Sequence, residues 1–396
     1  MKELPNLLCL TREIPQTVNA GSMQLFRVLS GYPPDKLLVV GPAPDPEARL
    51  LDCRYATLRL SVTRWINSRL HQAVNLANVM GAVRDFDGTA VDELVQSFRP
   101  QLVLTVMDCY SYYKWACLYA RARRLPFMTI TMDDPTQFER VPDWALSRQQ
   151  QAVRRIYSYA SRSLGVSREM AEYLERQYDR PTETFYFGPP DGLRPREASQ
   201  SGVLKQAPRL TLGYAGSLGY YGAALADWGP VLEQADACLN IYGGEADKIP
   251  DHPRITHRGR FSQEEVWERV KAECDAVILA YSFDPALSHL YRTHFPTKLS
   301  EYCWLGMPVV ISGPPSATGV RWGKAHKDAA ITLTEEDPAI VAGELQRLRQ
   351  NSELRTRLSV NAALIAATEF EPGRIRRRFV DHLALAAAAN TAHRPS

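Results

Sequence analysis

This chain lacks an excess of charge of one sign, a paired-cysteine motif and any long apolar run. Its net charge is only +3, from 47 basic and 44 acidic residues, too small to call for nucleic acid or a strongly anionic partner. The seven cysteines (9, 53, 109, 117, 238, 274 and 303) are odd in number and scattered, without a CxxC. That argues against a disulfide framework or a cysteine metal site. Contexts such as Leu8-Cys9-Leu10 predict buried free thiols, in keeping with a reducing cytoplasm. No stretch approaches the roughly 18 uninterrupted apolar residues of a spanning helix. Glu3 and Pro5 break up the short apolar start, so no signal peptide is expected.

What is present is ordinary for a soluble globular protein: 45% apolar and 23% charged residues over 396 positions. That length exceeds one ordinary core and predicts two domains of roughly 200 residues. In the first half, apolar runs at 36–42, 101–108, 126–134 and 162–167 read as strands buried on both faces. Helical patterns at 22–31, 91–100 and 109–125 fall between them, and such alternation predicts a parallel sheet covered by helices. The second half repeats the scheme with strands at 209–217, 237–244, 275–282 and 307–312. Between the last two but one, Ser262 with Glu265 three residues on forms a capping-box pattern that opens a helix over 262–273. Helices are also expected over 353–370 and 373–388, followed by an Ala-rich tail that is expected to fray. The Gly-, Pro- and Ser-rich segment 188–209 is the expected linker. The division expected is 1–195, 205–370 and a terminal helix and tail over 371–396. Two α/β domains joined in this way face each other across a cleft, with ligands at the C-terminal ends of the strands.

The most informative stretch is His294-Phe295-Pro296-Thr297-Lys298-Leu299-Ser300-Glu301, followed by Gly306-Met307-Pro308 and a strand. A helix starting near Lys298 presents unpaired backbone N–H groups and the positive end of its dipole. That suits a diphosphate, and Lys298 adds a full charge. Glu301, about one turn further on, is placed to accept hydrogen bonds from a ribose diol. An ordinary solvated helix would carry the same residues, and the local pattern alone leaves both readings open.

The run 296–310 resembles the nucleotide-binding signature of retaining GT-B glycosyltransferases, particularly those of family 4. Further segments match in order: 212–222 resembles the glycine loop that opens the second domain, 240–244 the next strand, and 257–282 the helix and strand beyond. Residues 161–178 resemble the last strand–helix unit of the first domain. The resemblance implies two Rossmann-like domains and transfer of a sugar from a nucleotide-diphospho-sugar, with retention, to a hydroxyl of a glycan or lipid-linked acceptor. It also implies a terminal helix that returns to the first domain. The nucleotide-sugar is a substrate, and no cofactor or metal is expected. Glu301 matches the second glutamate of the family's Glu-x7-Glu motif, which faces the donor ribose. Thr293 stands where the first glutamate would be. The glycine loop, Gly216-Ser217-Leu218-Gly219-Tyr220-Tyr221-Gly222, also lacks the family's two cations, for which Arg258 or Arg260 could substitute.

The resemblance thus implies a donor site of Gly216, Ser217, Gly243, Phe261, Pro296, Thr297, Lys298 and Glu301, with Phe261 open to base stacking or to a core role. On the sugar or acceptor side it implies Gly21 and Ser22, which as a helix start are equally well explained by capping. Asp108, Asp133 and Asp134 end buried strands, where side chains reach a ligand, though Asp is also an ordinary N-cap. Asp108 and Lys298 are the catalytic candidates. Asp85-Phe86-Asp87 spells a metal-binding DxD but, with Gly88, reads as a turn. The segment 61–80 mixes Trp65, Ile66 and Leu70 with Arg64 and Arg69; a packed helix is the simpler reading, and a membrane-surface helix near a lipid-linked acceptor is the other. The basic run 374–379 reads as a solvated face. The expectation is therefore a cytoplasmic glycosyltransferase, with peripheral contact at the inner membrane face left open. Two rivals share the fold: a catalytically silent protein that binds a glycan or partner, and a nucleotide-sugar epimerase.

Overall fold

The computed structural model describes residues 4–58, 71–80, 89–136, 141–190, 192–193, 208–218 and 223–389. The DxD at 85–87, residues 61–70 of the amphipathic segment and Gly219 to Gly222 of the glycine loop lie outside them. The chain divides into two compact units, Met1–Phe187 with Gly373–Ser396 and Gly188–Pro372.

Among the described residues the first unit holds a seven-stranded sheet of β1 (Leu7–Leu10), β2 (Leu37–Gly41), β3 (Arg54–Thr57), β4 (Leu102–Val106), β5 (Phe127–Thr131), β6 (Arg162–Gly165) and β7 (Glu183–Thr184). Their order is β3-β2-β1-β4-β5-β6-β7, and every pairing is parallel. The second unit holds six strands: β8 (Leu210–Ala215), β9 (Ala237–Tyr242), β10 (Ile255–Gly259), β11 (Ala276–Ala280), β12 (Val309–Ser312) and β13 (Ala330–Leu333). They run β10-β9-β8-β11-β12-β13, again all parallel. Each unit is thus a Rossmann-like layer of parallel strands with crossover helices, as the strand–helix alternation predicts.

The strands anticipated from continuous apolar runs are buried nearly throughout: β2, β4 and β5 along their whole length, and β6, β8 and β9 at all but one position. The unanticipated ones fall into two kinds. β1 is only four residues long, fully buried, and central in its sheet. β3 and β10 are edge strands whose exposed positions dilute the apolar signal, and β7 and β13 sit at the opposite edges. The Ser262 capping box forms with both of its reciprocal hydrogen bonds. One local reading is corrected: the helix Ala20–Leu29 is capped by Asn19, whose side chain accepts from the Ser22 amide, so Ser22 is not the cap. Its hydroxyl is thereby left for other work.

Order in each sheet sets where a ligand meets the strands. From β1 the chain moves outward to β2 and β3, then returns to β4 on β1's other side. The second unit does the same around β8 and β11. Connections leaving such neighbours diverge, which opens a crevice at the strands' C-terminal ends.

The helix Pro372–Ala389 belongs to the first unit. It buries Ile375, Phe379, Leu383 and Ala386, with the Phe379 ring 5.6 Å from that of Phe185. Arg162 donates from Nε to Nδ1 of His382 at 2.8 Å, a bond that requires a neutral imidazole. Burial, aided by the Arg162 charge, holds His382 down to about 4. A depressed imidazole favours the folded state fully above the unfolded value of about 6.5, and that stability is lost as pH falls toward 4. Acidification from pH 7 to 4 should therefore cost the native protein on the order of 2 kcal/mol more than a His382→Gln variant. Urea unfolding midpoints of both at pH 7, 5.5 and 4 check this; parallel pH dependences would count against it.

Candidate functional site

In the second unit the crevice between β8 and β11 is bounded by the loop after β8 and by the helix that precedes β12. That helix runs Thr297–Trp304, one residue earlier than its sequence pattern suggests. Pro296 caps it without a side-chain hydrogen bond, so no side chain from the cap position competes for the first-turn N–H groups. Gly306, with φ of +61°, ends it. The helix is not a solvated surface element. Its Leu299, Ser300, Glu301, Tyr302 and Cys303 are buried, and Glu301 keeps only 6% of its surface.

Tyr302 anchors this helix to the sheet by accepting a 3.0 Å hydrogen bond from the Ala215 amide at the end of β8. The adjacent Lys298 then lies directly on Gly216. A Cβ built on Gly216 would stand 2.3 Å from the lysine Cε and 2.7 Å from Nζ. Gly216 also has φ of +130°, where a side chain is strained. The ammonium sits 5.4 Å from the centroid of the Tyr214 ring, a favourable cation–π placement, and the Tyr214 hydroxyl donates to the Ser217 carbonyl at 2.6 Å.

The neighbouring loop closes on the same spot. Gly243, with φ of +94°, follows β9, and a Cβ there would lie 3.3 Å from the Gly216 carbonyl. Two glycine backbones and a lysine therefore meet at the C-terminal ends of β8 and β9. The His257 ring pairs with the Gly243 carbonyl at 3.0 Å, and Arg260 donates to that of Gly244 at 3.2 Å. Of the two cations considered as substitutes, Arg260 is thus on the glycine loops, whereas Arg258 is 3.4 Å from Glu273. Phe261 is neither core nor bare: the Arg269 guanidinium covers one face at 4.2 Å. Gly216, Ser217, Gly243 and Lys298 form one group, with Pro296, Thr297 and Glu301 on its helix.

The first unit gathers a second group between β1 and β4. Asp108, two residues beyond β4, accepts from Arg12 Nε at 3.1 Å. Arg12 Nη2 reaches Glu13 Oε1 at 3.3 Å. The Ser22 hydroxyl donates to the other Glu13 oxygen at 2.9 Å, and Gly21 stands beside the same carboxylate, a built Cβ lying 3.5 Å away. Asp108 is not a helix cap, because the following helix Tyr110–Arg123 is capped by Cys109 without a side-chain bond. Burial pushes the Asp108 carboxyl up to about 7, with Arg12 pulling it down and Glu13 adding to the rise.

Asp133 and Asp134 follow β5, the parallel neighbour of β4. Both Asp134 oxygens are engaged: one takes the Thr136 amide and hydroxyl at 2.9 and 2.8 Å, the other the Tyr173 hydroxyl at 2.6 Å. That is the chemistry of a fixed turn. Arg12, Glu13, Tyr214 and Tyr302 are site neighbours absent from the sequence-based set. A signal for the first two existed, since Thr11-Arg12-Glu13 follows an apolar run as Asp108 does, but the run is only four residues long. Among the described residues no group of three or more His, Cys, Asp or Glu is placed to hold a metal ion, and no helix is long and apolar enough to cross a membrane.

Comparison with known proteins separates sequence from fold. No protein-family model and no curated protein matches the chain. Solved structures do. HepE of Anabaena, in complex with UDP and glucose, superposes with a TM-score of 0.63 at 14% identity, over 96% of this chain and 99% of that one. Sucrose-phosphate synthase of Thermosynechococcus elongatus gives 0.66 at 14% identity, over 97% and 99%. The lipopolysaccharide outer core galactosyltransferase WaaB gives 0.57 at 14% identity, over 96% and 99%. Both units are matched in each case, and the shared property is the GT-B fold of two Rossmann-like domains.

Proposed function

We propose that this protein is a glycosyltransferase that moves a sugar from a nucleotide-diphospho-sugar to an acceptor hydroxyl. The observation that carries the reading is Lys298 laid over Gly216 at the start of the Thr297–Trp304 helix, in the crevice between β8 and β11. Backbone N–H groups, a helix dipole and a full positive charge converge there on a place where missing side chains allow close approach. The solved HepE structures hold UDP and UDP-glucose, which makes uridine donors the first to test.

The donor's two phosphates rest on the first helical turn and Lys298, and Glu301 reads the ribose diol. As the bond from the anomeric carbon to the diphosphate oxygen breaks, negative charge grows on that oxygen, and the fixed donors stabilise it without reorganising. Arg260 supplies the cation that the glycine loop lacks. In the first unit Asp108 accepts a hydroxyl of the sugar or acceptor, with Gly21 and Ser22 lining its approach. Retention follows from the family 4 resemblance, with a glycan or lipid-linked acceptor met in the cytoplasm, at or near the inner membrane face.

Thr293, in place of the family's first glutamate, favours the rival of a silent binding protein. Thermal unfolding with UDP-, GDP-, TDP- and ADP-sugars, followed by turnover with each binder, separates the two. A donor at about a hundred times its dissociation constant adds about 2.7 kcal/mol. Stabilisation by one base together with transfer to an acceptor supports the glycosyltransferase. Binding without turnover leaves the silent protein, and release without any acceptor product points to an epimerase or hydrolase. No shift with any donor would sink the donor site itself.

A further inference from the structure

We propose that Arg12 and Glu13 are a positioning pair for Asp108, fixing the orientation and the charge of the carboxyl that serves the first unit's sugar side. The inference rests on the role of Asp108 given above and extends it to two residues outside the motif resemblance. Arg12 and Glu13 lie just beyond β1, and Asp108 just beyond β4; these strands are neighbours at the point where the chain reverses its course across the sheet. Arg12 bridges the two carboxylates, from Nε to Asp108 Oδ2 at 3.1 Å and from Nη2 to Glu13 Oε1 at 3.3 Å. Glu13 is itself held by the Ser22 hydroxyl on the following helix. The chain of contacts orients the Asp108 carboxyl through its Oδ2, and only 11% of the side chain is exposed. Its Oδ1 is buried and lacks an ordinary hydrogen-bond partner, an acceptor atom whose lone pairs await a donor such as a sugar hydroxyl.

The electrostatics gives each partner an opposite effect. The ionised carboxyl is the stronger acceptor for a hydroxyl, and burial, which resists ionisation, pushes Asp108 up to about 7. Arg12 favours the ionised form and Glu13 opposes it. Among the described residues, the other titratable groups facing this cluster are Cys109 on the same loop and Tyr112 one turn into the next helix; the Tyr112 hydroxyl donates to the Leu58 carbonyl. Burial raises Tyr112, so it stays neutral through the relevant range.

The test compares Arg12→Gln, Arg12→Lys, Glu13→Gln and Asp108→Asn with the native protein, reading kcat/KM against pH with whichever nucleotide-sugar the donor panel shows to be turned over. Arg12→Gln should move the acid limb up by about 1–3 pH units. Glu13→Gln should move it down, Arg12→Lys should return it toward the native position, and Asp108→Asn should abolish it. A purely structural role would lower activity without moving the limb in opposite directions. Limbs that move together or stay fixed, or a limb that survives Asp108→Asn, overturn the proposal. Carboxyl carbon NMR titration of Asp108 in the same proteins reads the pair without any donor. Should no donor turn over, the function reading fails, and the titration still decides: opposite displacements by the two glutamine variants uphold the pair, and coincident curves refute it.

Discussion

Lys298→Ala is expected to lower kcat/KM for the working nucleotide-sugar by about 10²–10³-fold, and to abolish most of the donor's thermal stabilisation. The size follows from the loss of one preorganised donor at a developing oxyanion, about 2.7–4 kcal/mol. The loss should appear in kcat as well as KM, because the diphosphate carries more charge as it leaves than while bound to the sugar. The cation–π placement over Tyr214 at 5.4 Å accounts for about 0.5–1 kcal/mol of fold stability at a partly exposed site, well below the expected effect on turnover. Lys298→Met separates charge from packing, because it keeps an unbranched stem over Gly216. Steady-state kinetics of both variants decide the matter. Wild-type turnover by Lys298→Met would remove the lysine from the mechanism.

Gly216→Ala is expected to produce nearly the same loss of activity by a different route, together with a loss of stability. A methyl on Gly216 would stand 2.3 Å from the Lys298 Cε, and the backbone there has φ of +130°. The lysine can swing away, but only by leaving the place where the phosphates would lie. The backbone strain costs about 1–3 kcal/mol, so the urea midpoint should fall even though no contact is deleted. Because both substitutions act on one ammonium, the double variant Gly216→Ala/Lys298→Ala should be no slower than Lys298→Ala alone. That non-additivity is the signature of shared geometry. Independent, multiplying losses would show that Gly216 and Lys298 act separately.

Much of the fold was legible because its signals are local. Continuous apolar runs such as Leu37–Gly41 and Val309–Ser312 mark strands covered on both faces, and Ser262 with Glu265 marks a helix start. Where the signal was weak, the reason is physical. β1 is too short to be told from any small apolar cluster, and β10 alternates exposed positions with buried or half-buried ones because a sheet edge meets water. Missing β1 had a consequence for function, since Arg12 and Glu13 gain their meaning only as residues at the end of a central strand.

From residue types alone one could read two parallel-sheet domains, a helix start at Pro296 to Lys298 suited to phosphate, and aspartates ending buried strands. These depend on periodicity, chain length and the geometry of one helix end, all of which are written within a few residues of one another. Contacts between residues far apart in the chain are of another kind. The placement of Lys298 on Gly216, the burial of Glu301, the engagement of Asp134 with Tyr173 and the bridging of Glu13 and Asp108 by Arg12 each join segments separated by tens of residues. Such pairs are set by strand order, since β1 meets β4 and β8 meets β11 only after the intervening chain has crossed the sheet and returned. Nothing in the spacing of the residues encodes that meeting; the packing of the sheets does.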